Sequence, residues 1–148
     1  MEENATIQIP ELGELRYDGE MDNHEIDVPS RFGVIKITLE CEDELSADEL
    51  VAEIRTFCSN LDSILEKAFK EIVDTMLPLK NESWLDDDEA PISADELLQA
   101  TQSGEISISL CQGGLAEMFF EDGDFFGGHW IVVWHREDGV VEEAHLAG

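Results

Sequence analysis

The sequence predicts a single α+β domain over residues 1–148. Three observations predict it: apolar residues alternate with period two near both ends, they recur with helical period in between, and two capping boxes mark helix starts. Strands, then helices, then strands implies an antiparallel sheet with helices packed on one of its faces. Two β-meanders are expected, with two to three helices between them.

The first meander spans residues 5–41. Leu12–Tyr17 and Met21–Val28 flank a turn at Asp18-Gly19-Glu20, and RFGVIKITLEC is the clearest strand. Its Ile35, Ile37, Leu39 and Cys41 alternate with Val34, Lys36, Thr38 and Glu40, which places Cys41 on the core face as a small hydrophobe.

Helical period then takes over in residues 46–77. Ser46-Ala47-Asp48-Glu49 is a capping box, and Leu50, Ile54, Phe57, Leu61, Ile64, Ala68, Ile72 and Met76 form an apolar stripe. One unbroken helix would reach roughly 48 Å, too long for a domain of this size. The spacing therefore predicts two helices with a break near Asn60, the second ending at Pro78. A second capping box, Ser93-Ala94-Asp95-Glu96, predicts a short helix through about Gln102, closed by Gly104.

The second meander starts after Glu105. A three-residue loop Gln112-Gly113-Gly114 sets Leu110 opposite Ala116, Ile108 opposite Met118 and Ile106 opposite Phe120, which makes one continuous apolar face. A two-residue loop would not. Glu121-Asp122-Gly123-Asp124 is the next turn. HWIVVWH follows as the most hydrophobic strand, and Glu137-Asp138-Gly139 turns it back into a last strand, Val140–Leu146. Trp130 and Trp134 share one face of their strand, Ile131 and Val133 the other. Two apolar faces predict a strand covered on both sides, or one whose second face meets a partner; core is the expectation.

Charge narrows the function. Thirty-six acids face eight lysines and arginines, a net charge of −28. That excludes the basic footprint of a nucleic-acid binder and disfavours anionic membrane surfaces. Basic proteins or cations are the natural counterparts, although high acidity also serves simple solubility. The three cysteines, Cys41, Cys58 and Cys111, form no CxxC pair, so neither a disulfide framework nor a zinc ribbon is indicated. The first residues show no signal-peptide pattern and no stretch has transmembrane length, so the cytoplasm is the expected compartment.

Motifs for chemistry are thin. An EF-hand loop begun at Asp86 would place Pro91 and Leu97 where glycine and glutamate are needed. One begun at Asp122 reaches Gly127 at the sixth position but Val133 at the twelfth. Asp122 and Asp124 are therefore weak metal candidates only. His129 and His135 lie roughly 20 Å apart at strand rise and cannot share a metal. His129 is expected to bond backbone at the strand's start. No nucleophile elbow or phosphate loop is present. Cys58, on the helix stripe, should be inert. No catalytic residue and no cofactor is assigned. Trp84 beside Asp86, Asp87, Asp88 and Glu89 has the composition of an aromatic anchor ringed by acids, and these five are the candidate partner-binding residues.

The run FFEDGDFFGGHWIVV with EAHLAG at the end, LGELRYDGEMD near the start, and Trp84-Leu85-Asp86-Asp87 before SADEL resemble a bacterial family, domain-of-unknown-function family 2262. The resemblance covers most of the chain and implies a bacterial α+β domain. It carries no activity or catalytic residues to transfer. The functional expectation is a non-enzymatic protein-binding domain for a basic partner, with a toxin-neutralising immunity protein as the concrete version. The alternative is a small-ligand or divalent-cation-dependent enzyme with its site near the Asp122–Gly128 loop.

Overall fold

In the strand β4 (Gly33–Glu40), Ile35, Ile37 and Leu39 are buried while Val34, Lys36 and Glu40 are exposed, the pattern that period-two alternation dictates. The same logic builds the other strands of this computed structural model, which describes residues 6–20, 23–40, 45–111 and 113–147. They are β1 (Thr6–Ile9), β2 (Gly13–Asp18), β3 (Asn23–Ser30), β5 (Ile106–Cys111), β6 (Ala116–Glu121), β7 (Trp130–His135) and β8 (His145–Ala147). Cys41, expected on the core face, lies outside the described residues.

The eight strands form one sheet in sequence order, and neighbours are antiparallel except β4 and β5. That central pair is parallel, which a long crossover permits, and three helices lie between its strands in the chain. The β5–β6 register is the one a three-residue loop requires: Leu110 faces Ala116, Ile108 faces Met118 and Ile106 faces Phe120. Gly113 and Gly114 both have positive φ, 90° and 96°, and the Cys111 amide donates to the Leu115 carbonyl across the loop.

Helix α1 (Ala47–Cys58) starts on a complete capping box at Ser46 and Glu49. It stops at Ser59, and α2 (Leu61–Ser83) restarts after Asn60. The break sits where expected, although the Asn60 side chain makes no cap bond. Asp62 accepts from the Arg31 amide instead, tying the β3–β4 turn to α2. Pro78 does not end α2, contrary to expectation. It removes one bond and crowds one carbonyl, at a cost of about 3 kcal/mol, but the residues beyond it are anchored. Asn81 exchanges two bonds with the Ile92 backbone, and Lys80 is buried. Helix α3 (Ala94–Ser103) has the second capping box; Gly104 caps its end in an extended rather than left-handed conformation.

The last strand is shorter than expected. His135 bridges Val141, yet Val132 pairs with His145, so three steps on β7 match four on the other strand. The extra residue is a bulge that breaks the ladder over residues 142–144 and leaves β8 three residues long.

One apolar cluster joins alternate residues of the strands (Ile37, Ile108, Met118, Phe120, Ile131 and Val133 among them) to the stripes of all three helices. Trp130 and Trp134 are not in it. Trp130 is 39% exposed and Trp134 half-buried, a correction to the core expectation: they alternate with Ile131 and Val133 and so point away from the helices' apolar stripes.

Candidate functional site

Three neighbourhoods hold the residues that the sequence singles out, two of them flanking β7 and one on its open face. At the N-terminal end of β7, Asp122 is 4% exposed and both of its oxygens accept backbone amides. Oδ1 takes the Asp124 amide at 2.8 Å; Oδ2 takes those of Phe126 at 3.0 Å and Gly128 at 2.9 Å. The carboxylate thus folds the loop around itself. Asp124 is exposed at φ 66°, and Gly123 at φ 63° lies so close to Ala100 of α3 that a Cβ would come within 2.5 Å. His129 bonds the Phe126 carbonyl through Nδ1, as expected for a histidine at the strand's start.

Trp84 packs edge-on against this loop, 5.6 Å from both the Phe126 and His129 rings, and is 36% exposed. Beneath it lies Lys80, 3% exposed. Its ammonium donates to the Trp84 carbonyl at 2.8 Å and to Glu89 at 2.9 Å, and stands 5.7 Å from the Phe125 ring centre. Glu89 also accepts from the Asp86 amide. The Lys80 hydrogen bond, aided by that amide, holds the Glu89 carboxyl below the usual glutamate range. Of the five partner candidates, Glu89 is therefore engaged within the chain and Trp84 is half clamped, while Asp86, Asp87 and Asp88 are exposed. Sequence reasoning missed Lys80, since a single lysine on a helix gives no sign of burial.

The open face of β7 carries a pattern that only the register reveals. Trp130 lies opposite Glu121, Val132 opposite Phe119 and Trp134 opposite Glu117. Carboxylates and apolar side chains alternate along it, and the Phe119 and Trp130 rings meet edge-on at 6.4 Å. Val132 is 0% exposed without belonging to the core cluster, so its neighbours on this face bury it.

At the C-terminal end of β7, His135 is 9% exposed and lines a cleft of about 590 Å³ between the α1–α2 junction and the β5–β6 and β7–β8 turns. Its Nδ1 lies 2.7 Å from the Gly114 carbonyl, and its ring meets Phe57 edge-on.

Among the described residues, no three His, Cys, Asp or Glu side chains converge as a metal cage would require. Cys58 and Cys111 are not disulfide-bonded, and burial pushes the Cys58 thiol up to about 11, which keeps it protonated. The His24 and Tyr17 rings meet at a tilt, 5.0 Å between centres, and His145 is exposed on β8. No described helix is long and apolar enough to cross a membrane.

With this geometry in place, residues 10–146 match the family described as "Uncharacterized protein conserved in bacteria" (DUF2262). The chain belongs to that family. No curated protein and no solved structure matches it. Membership extends from β2 through β8, so the Asp122 loop, the open face of β7 and the His135 cleft all lie within the family's span.

Proposed function

We propose that this DUF2262 member is a non-enzymatic, acidic protein-binding domain that receives a basic protein partner, of the kind a toxin-neutralising immunity protein provides. The observation that carries the reading is the alternation of Glu117, Phe119 and Glu121 with Trp130, Val132 and Trp134 in one register on one face. Exposed Trp130 and half-buried Trp134 give arginine and lysine ring surface to meet, and Glu117 and Glu121, the latter also accepting the Glu105 amide, supply charge beside them. The reading takes the three helices as one layer on the opposite face, leaving this face to the partner. Ser109, which bonds Glu40, and exposed Lys36 continue it across β5 and β4 as a polar rim.

A net charge of −28 supports the same reading through encounter rate, since complementary fields steer basic partners faster than they add affinity. The exposed Asp86–Asp88 turn adds to that field beside half-exposed Trp84. The test is retention of proteins from the source bacterium's lysate on the immobilised chain, at low and high salt. A basic protein held at low salt, released by salt and lost with Trp130→Ala supports the proposal; retention of none at low salt removes it.

A further inference from the structure

The open face of the sheet is not uniform in charge. Register carries it from Asp27 on β3 through Lys36, Ser107 and Phe119 to Val132 on β7, so these residues share one side. On the β2–β4 half, acids are matched within the chain: Arg16 pairs with Asp27 at 3.5 Å and Lys36 with Glu25 at 3.4 Å. On the β6–β7 half they are not. Glu121 accepts the Glu105 amide, but neither it nor Glu117 forms an ion pair among the described residues.

The unmatched half also carries the aromatic surface. Its rows are Trp130 beside Glu121, Val132 beside Phe119, and Trp134 beside Glu117. The middle row is apolar: Val132 is 0% exposed, and the Phe119 ring meets Trp130 edge-on. Successive rows are two residues apart on β7, roughly 6.7 Å at strand rise, so the outer rows stand roughly 13 Å apart. An extended chain projects every second side chain to one side with that same rise, and its residues i, i+2 and i+4 fall on the three rows in step. An α-helix returns to one side only every third or fourth residue, and its i, i+4 ridge runs oblique to its axis, so it drifts off a line of rows.

We infer that the partner meets this face as an extended segment with basic residues at i and i+4 and an apolar residue at i+2. The basic side chains lie on Trp130 and Trp134, beside Glu121 and Glu117, and the apolar one lies on Phe119. A charge at i+2 would lose water over the apolar row without gaining a carboxylate. This form of partner rests on the protein-binding reading above and adds the conformation and spacing of what is bound.

The test is titration of the full chain with end-capped peptides, read by the indole N–H resonances of Trp130 and Trp134. The spaced peptide is Arg-Ser-Leu-Ser-Arg, and Arg-Arg-Leu-Ser-Ser is the control of equal composition and charge. Arg-Pro-Leu-Pro-Arg keeps the spacing and excludes a helix. An alanine-rich helical peptide sets arginine at i and i+8 and leucine at i+4. The spaced and proline peptides should bind saturably and move both indole signals. The reordered control should bind roughly fivefold or more weakly, the scale of one charge-assisted bond. Glu117→Gln should remove most of that preference, whereas Asp27→Asn, on the matched half, should leave it unchanged. Equal affinity for the reordered peptide, loss of binding by the proline peptide, or tighter binding of the helical one overturns the extended form. In that event a basic lysate protein retained by the chain and lost with Trp130→Ala keeps the protein-binding reading; retention of none removes both.

Discussion

The two ends of β7 handle polar groups in opposite ways. At the Trp130 end, the buried Asp122 carboxylate takes three amides, the buried Lys80 ammonium takes a carbonyl and a carboxylate, and His129 bonds backbone. At the His135 end, one imidazole nitrogen meets the Gly114 carbonyl, while Glu137 and Lys67 are exposed at a cleft wall and form no ion pair among the described residues. A polar group satisfied inside the chain stabilises the fold. One exposed at a cleft wall is hydrated and contributes little to stability. The first end therefore holds its buried polar groups by bonds within the chain, and the second leaves most of its charged groups to solvent.

Substitutions can break this contrast. Asp122→Ala should have the largest effect, lowering unfolding free energy by about 3 kcal/mol or more, because three loop amides lose their acceptor. Denaturant titration measures it, and a loss near zero would end the distinction. Lys80→Met should cost roughly 2 kcal/mol, since Glu89 is only partly buried and can turn to water while the Trp84 carbonyl loses its donor. Gly123→Ala should cost about 1–2 kcal/mol, from its positive φ and the close approach of Ala100. At the other end, Glu137→Gln and Lys67→Gln should change stability by about 0.5 kcal/mol or less.

Acid titration sharpens the comparison further. Glu89 has its folded-state pKa depressed, first by the Lys80 hydrogen bond, so its contribution is complete above the ordinary glutamate range and is lost as pH falls through the lowered folded value. The stability gap between the natural chain and Glu89→Gln should accordingly be widest near neutrality and shrink in acid. A gap that stays constant with pH would show that the Lys80 clamp contributes nothing through charge.

Much of the fold was legible because its signals are local. The alternation in residues 33–40, the capping boxes at Ser46 and Ser93 and the apolar-face argument for the Gln112–Gly114 loop each concern residues a few positions apart. Pro78 misled because local propensity weighs a missing amide and a crowded carbonyl but not the anchors at Lys80 and Asn81, whose partners come nine and eleven residues later. The tryptophans misled for a related reason. Period two assigns Trp130 and Trp134 to one face but cannot say which face the helices cover.

By itself, then, the sequence determined the order and type of the elements, the β5–β6 register, the break at Asn60 and the negative field, since periodicity, capping and net charge depend only on which residues follow which. Tertiary structure alone decided the parallel β4–β5 pair, the bulge before β8, the burial of Lys80 and Asp122, and the placement of Glu117 and Glu121 beside Trp134 and Trp130. Each of these depends on strands or side chains meeting across the chain. Whether a polar group is paired or left open is settled only at such meetings.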